Sequence, residues 1–132
     1  MAATLVAPAI DAGLRQREVR SAVRKVAGTM NALSSDAVRT GRPQELVVDP
    51  MENALHVPGR DESVSLGEVA RMGRLEGGSI DSTGVTRVRF FPNGSNTGIA
   101  LVVGDPELPV DEGFVVRLDP LIGLVTVHLA EQ

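Results

Sequence analysis

The sequence predicts an α+β fold, one long N-terminal amphipathic helix packed on antiparallel sheet, and three observations carry that expectation. An apolar stripe of helical period runs through the first third of the chain. After Pro43 the hydrophobic period shortens to that of strands. Turns bearing proline, asparagine and glycine then recur between short β-rich runs. A helix with one apolar face and a sheet with another cover each other, which is the α+β solution.

Residues 2–10 are apolar, but they are about half of the ~20 residues that a bilayer-crossing helix needs. They also lack the basic start of a signal peptide. Residues 1–13 therefore read either as a frayed terminus or as the stump of a removed membrane helix. From about residue 14 to 40, Val19, Ala22, Val23, Val26, Ala27, Met30, Leu33, Ala37 and Val38 recur at steps of three and four. Arg17, Arg20, Arg24, Asn31, Ser35 and Arg39 fall mostly off that stripe. Arg39 in the last turn, Gly41 as a left-handed cap and Pro43 beyond it give a strong stop. The helix can continue backwards through Gly13 and Pro8.

Glu45 to Asp49 and Ala54 to Val57 flank Asp49-Pro50-Met51-Glu52-Asn53. Proline presets that turn and Asp49 can bond its own backbone, so a hairpin is expected. The same grammar returns where Phe114 to Leu118 and Leu124 to Leu129 flank Asp119-Pro120-Leu121-Ile122-Gly123. A third hairpin is expected from Val85 to Phe91 and Ile99 to Val103, around Pro92 to Gly98. Between Pro58 and Thr83 the signal weakens: Val64, Leu66, Val69 and Leu75 hint at one or two irregular strands, and Gly77-Gly78-Ser79 reads as a flexible loop. The β-region, about residues 44–130, should hold six to seven strands.

The 132 residues suffice for one domain with a workable core. Three phenylalanines are the only aromatic residues, so Leu, Val, Ile, Ala and Met must build that core. The absence of cysteine excludes disulfides, thiolate metal sites and a cysteine nucleophile together. A formal net charge of −4 opposes non-specific nucleic-acid binding, which needs a basic surface to displace counterions. The charge is uneven. Arg15, Arg17, Arg20, Arg24, Lys25, Arg39 and Arg42 face only Glu18 and Asp36 in their stretch, and the acidic excess lies downstream at Asp105, Glu107, Asp111 and Glu112. Such polarity suits packing against copies or relatives of the same protein.

No catalytic constellation emerges. His56 and His128 each stand in an expected strand, and no serine has a nucleophile-elbow context. With no third histidine and no cysteine, a metal site is not expected. Gly77 to Gly84 lacks the lysine and the following helix of a phosphate loop. Asp105 to Glu112 fits no standard calcium loop and reads as a solvated connection. Neither a cofactor nor a small-molecule substrate is expected. A small periplasmic enzyme and an adaptor that binds a peptide along a sheet edge are the lesser alternatives.

Three stretches taken together resemble the H-type minor pseudopilins of type II secretion and the related FimT-like minor pilins. Ala37-Val38-Arg39-Thr40-Gly41-Arg42-Pro43, running into Leu46-Val47-Val48-Asp49-Pro50, is similar to that family's helix close, basic step and Val-Asp hairpin. Val88-Arg89-Phe90-Phe91-Pro92-Asn93-Gly94-Ser95 is similar to its Phe-x-Pro-Asx-Gly-Ser hairpin. Val116-Arg117-Leu118-Asp119-Pro120-Leu121-Ile122-Gly123 is similar to its final hairpin. Order and spacing match over about residues 14–129.

The resemblance implies a pilin-like fold and a structural, non-catalytic role. It implies an intact protein anchored once in the bacterial inner membrane, with residues 1–13 as the stump of that helix and 14–132 as a single periplasmic domain. It further implies a place near the pseudopilus tip, among other minor and major pseudopilins. Arg17, Arg20 and Arg24 are then the expected partner-facing residues. A type IV minor pilin, in some cases DNA-binding, is the alternative. Such a member should carry basic residues in exposed loops or at its C-terminus, whereas Val127 to Gln132 contains no Lys or Arg.

Overall fold

The computed structural model describes residues 2–108 and 113–130, with side chains described from Gly13 onward. Helix α1 (Ala2–Thr40) is one unbroken 39-residue element, so the expected helix does continue through Gly13 and Pro8. Among the described residues no helix is both long and apolar enough to cross a membrane. The chain continues through β1 (Gln44–Asp49), β2 (Ala54–Val57), a 3-10 turn (Pro58–Arg60), β3 (Glu62–Ser65) and β4 (Arg71–Gly77). It ends with β5 (Ser79–Ile80), β6 (Thr86–Phe90), β7 (Ile99–Gly104), β8 (Phe114–Leu118) and β9 (Val125–Leu129). Two antiparallel sheets result, ordered β3-β2-β1-β6-β5 and β4-β7-β8-β9.

The apolar stripe of α1 is the seam that joins the sheets. Val19, Ala22, Val23, Val26, Met30, Leu33 and Ala37 are buried. They pack in one cluster with Leu46, Val48 and Leu55 from the first sheet and with Leu101, Val103, Val116 and Leu118 from the second. Each fully buried aliphatic side chain contributes about 1.5–3 kcal/mol. Val38 departs from the expected stripe and is exposed. It follows Ala37 by one residue, about 100° round the helix, and so leaves the buried sector. Gly41, at φ 69°, closes the helix by donating its N–H to the Ala37 carbonyl at 3.1 Å.

Both Asp-Pro hairpins form, β1–β2 and β8–β9, and their turns share one geometry. Asp49 Oδ1 accepts the Met51 and Glu52 N–H groups, and Asp119 Oδ1 accepts those of Leu121 and Ile122. The fifth residue of each turn is left-handed, Asn53 at φ 54° and Gly123 at φ 73°.

The nine strands among the described residues exceed the six to seven expected, and the excess lies in the stretch of weak signal that holds β3, β4 and β5. Gly77-Gly78-Ser79 is no loose loop. It is the step at which the chain leaves β4 in one sheet for β5 in the other. A Cβ on Gly78 would lie 2.5 Å from Thr86 Cγ2, and one on Gly77 2.9 Å from the Gly98 carbonyl oxygen, so two bare backbones make the crossing.

The expected third hairpin is half right. The Pro92 to Ser95 turn closes on itself, with Phe91 N–H bonded to the Ser95 carbonyl, Thr97 N–H to the Arg89 carbonyl, and a bridge between Phe90 and Asn96. Beyond Thr97 the returning arm leaves. β6 pairs with β1 and β5, whereas β7 lies between β4 and β8 in the other sheet. Asn96 drives the switch: its Oδ1 accepts the Gly98 N–H at 2.7 Å and its Nδ2 donates to the Asp119 carbonyl at 2.8 Å. The arm is thereby tied to the β8–β9 turn instead of to β6.

Asn53 does the same work elsewhere. It is buried, and its amide donates to the Ala70 carbonyl at 2.7 Å and the Gly67 carbonyl at 3.4 Å. Its Oδ1 accepts the Met72 N–H at 3.0 Å. The β1–β2 turn is thus fastened to the crossover from β3 into β4.

Candidate partner-binding face

The solvent side of α1 carries Arg17, Arg20 and Arg24, spaced three and four apart on one row, and all three are exposed. None of them belongs to an ion pair among the described residues. The two flanks of the helix differ. On one, Arg24, Lys25 and Thr29 line an open groove with Arg60, Glu62 and Val64 at the β3 edge. At the lower end of that flank Asp36 accepts from Arg39 at 2.8 Å and also bonds Arg60, which fixes the 3-10 turn to the helix. On the other flank Ser34 lies against the β8–β9 turn, where a Cβ at Gly123 would be 2.8 Å from its Oγ. Arg20 stands nearly four whole turns before Ser34, at ~3.6 residues per turn, and so points to the β9 side. Arg17 and Arg24 lie slightly further round toward solvent.

One basic residue of the stretch has a different task. Arg15 holds Asp105 by a forked pair of hydrogen bonds, Nε to Oδ2 at 2.7 Å and Nη2 to Oδ1 at 3.0 Å, and reaches Glu107 at 2.9 Å. The Asp105 side chain has no exposed surface, so the expectation of a solvated connection fails at this residue. The carboxylate is buried because a guanidinium on α1 and the Glu107 N–H satisfy it. Residues 109–112 of the acidic segment lie outside the described residues.

The Arg15 guanidinium, seconded by the Glu107 N–H, holds the Asp105 carboxyl below its ordinary value of 3.8. A carboxyl depressed by folding adds stability above its unfolded pKa and loses it as pH falls through the lower folded value. The stability difference between the wild type and Asp105→Asn should therefore be largest at neutral pH and narrow below about pH 4. Urea midpoints measured from pH 7 to pH 3 test this; a constant difference would deny the pair its role.

The two histidines do not meet. His56 is half-buried in β2 with Nε2 3.0 Å from Glu52 Oε2, while His128 is exposed in β9. Asp49, Glu52 and His56 bring ligand atoms within 4.8 Å of one another. The cluster sits at an open hairpin tip, and Asp49 is already engaged in capping its turn.

No profile of a known protein family matches the chain. It is 31% identical over 129 residues to type II secretion system protein H of Xanthomonas campestris pv. campestris, across 92% of this chain and 75% of that protein. The chain belongs to the type II secretion system protein H family. Solved structures agree on the fold. The minor pseudopilin EpsH from the type 2 secretion system of Vibrio cholerae superposes with a TM-score of 0.67 at 13% identity, covering 87% of this chain and 99% of that one. The type IV minor pilin FimU of Pseudomonas aeruginosa gives 0.62 at 15% identity, covering 83% and 91%. The pilin-like fold expected from the resemblance is therefore present in this member of the protein H family.

Sequence reasoning singled out the arginine row but missed two features beside it. The burial of Asp105 leaves no trace in local pattern, because its partner lies 90 positions away. The exposure of Val127 and Leu129 on the inward face of β9 is set by packing and has no local mark in the sequence.

Proposed function

We propose that this domain is a structural, non-catalytic subunit of the type II secretion pseudopilus, seated near its tip among other minor pseudopilins. In this reading residues 1–13 continue an N-terminal helix that crosses the inner membrane once, and residues 14–132 form a single periplasmic domain. The observation that carries the reading is a helix whose buried face is filled by its own two sheets while Arg17, Arg20 and Arg24 stand exposed in a row without ion-pair partners among the described residues. Exposed cations at such spacing set register against an acidic neighbour.

The test is sedimentation of this domain mixed with the periplasmic domains of the other pseudopilins of the same secretion system. A defined complex is expected. Arg17→Glu, Arg20→Glu and Arg24→Glu combined should weaken it about tenfold or more, with the loss shrinking at high salt. Thermal stability should stay within about 0.5 kcal/mol of the wild type, since exposed substitutions leave the core alone. An unchanged complex removes the row from the interface. The likeness to FimU favours a second reading, a type IV minor pilin role; titration of fluorescent DNA at two salt concentrations decides it, because a DNA-binding member gives salt-sensitive binding.

A further inference from the structure

Among the described residues the two sheets present four outer edges, and three of them are protected. β5 has two residues, too short to template another strand. β3 has four, opens on exposed Glu62, and is otherwise polar except for Val64. β4 is broken by a register shift between Met72 and Leu75 and bears exposed Arg71, Arg74 and Glu76. Short length, charge and irregularity are the ordinary defences against edge pairing. β9 has none of them. Val125-Thr126-Val127-His128-Leu129 contains no Lys, Arg, Asp, Glu, Pro or Gly, and it pairs with β8 in unbroken register from Phe114↔Leu129 to Leu118↔Val125.

The same margin is apolar where α1 ceases to cover it. Val127 and Leu129 share the inward face with buried Val116 and half-buried Phe114, their partners on β8, yet they are 43% and 59% exposed. The preceding turn adds Leu121 at 80% and Ile122 at 70%, together with exposed Leu124. Isolated exposed aliphatics are ordinary, whereas here Val127 and Leu129 stand adjacent on one face of the edge strand and three more lie in the turn that leads into it. From Gly113 to Ala130 the only acidic residue is Asp119, whose Oδ1 is occupied by the amides of its own turn. From α1, Arg20 points to the β9 side, and exposed Arg117 stands on β8 opposite Thr126, on the other face of the sheet.

We propose that the β9 edge is a docking site for an extended, acidic-flanked strand of a neighbouring pseudopilin domain, which adds to the second sheet beside β9 with its carboxylates toward Arg20. Backbone pairing to the free edge supplies affinity, Val127 and Leu129 take the apolar side chains, and Arg20 sets direction. The occupant is a different surface from the one it meets: the opposite side of the domain, where α1 meets β3, is of mixed charge, with Glu18, Glu62 and Glu68 beside Arg24, Lys25 and Arg60. Unlike flanks suit head-to-tail contacts along a filament and not a closed pair of identical faces.

This inference rests on the pseudopilin reading above, and its test separates the two. The folded domain is titrated with the periplasmic domain of each other pseudopilin of the system, and affinity is measured by calorimetry. Val127→Ser with Leu129→Ser removes apolar contact, and Val127→Asp places a charge on the edge facing a carboxylate. Met51→Asp, at a position 91% exposed on the distant β1–β2 turn, is the control. The expected result is about tenfold or greater loss of affinity for both β9 variants, no change for the control, and unaltered melting for all three. A complex that forms equally well with the β9 variants overturns the docking site and leaves the pseudopilin reading standing. No complex with any pseudopilin overturns both. Self-association of the domain that the β9 variants abolish, without effect on hetero-complexes, assigns the edge to a second copy and overturns the proposal.

Discussion

Asn53→Ala should destabilise the domain by about 3 kcal/mol, the sum of two separable losses. The first is bonding. The side chain satisfies two carbonyls and one N–H of the β3–β4 crossover, and alanine leaves them inside the protein with no replacement. The second is backbone conformation. Asn53 sits at φ 54°, which asparagine tolerates and alanine resists by about 1 kcal/mol. Asn53→Gly keeps the bonding loss and relieves the strain, so it should be the milder of the two by about that amount. Urea unfolding at neutral pH reads both. Equal effects would mean that strain is negligible at this turn, and a loss below about 1 kcal/mol for both would mean that water replaces the amide.

Gly78→Ala should have a comparable effect, about 3 kcal/mol, for a different reason. Gly78 is left-handed at φ 67°, and a methyl group there would stand 2.5 Å from Thr86 Cγ2 and 3.1 Å from the Arg87 carbonyl oxygen. The first contact can be relieved by shortening Thr86, and the second cannot, because it is backbone. Gly78→Ala in a Thr86→Ser background should therefore recover about 1 kcal/mol relative to the sum of the single substitutions. Strict additivity would show that the methyl groups never meet. Gly84, also left-handed but with open space around its Cβ position, marks what strain alone does.

The legible parts of this molecule are those in which cause lies close in sequence to effect. The stripe from Val19 to Ala37 reports its own burial, because helical period and a single covered face are the same fact. The stop at Gly41 and Pro43 and the two Asp-Pro turns are local chemistry, and both appear where their residues place them. The pairing of β6 was not legible. The turn at Pro92 to Ser95 resembles any hairpin turn, and the side chain that diverts the chain, Asn96, acts on the Asp119 carbonyl 23 positions on. The Gly77-Gly78 step was misread for the same reason: whether paired glycines mark slack or close approach depends on Thr86 and Gly98, which only the fold brings near. At the candidate interface, composition marked the arginine row but not the bare edge next to it. Exposure of Val127 and Leu129 depends on where α1 ends its cover, and that is a property of packing and not of pattern.

The two sheets are threaded through each other along the chain. The first takes residues 44–65 and then 79–90, while the second takes 71–77 and then 99–129. Neither sheet is built from one uninterrupted run of chain, because β4 of the second is made between β3 and β5 of the first. β1 must wait for β6, with Gln44 pairing to Phe90, and β4 must wait for β7, with Arg71 pairing to Gly104. Closing such distant pairs precedes the reward of making them, which places the rate-limiting step late and slow for a domain of this size. The interleaving also removes any natural cut at which one part could open while the other persists. Unfolding is then close to all-or-none. A mechanical load on this domain is therefore met by the whole of it or not at all.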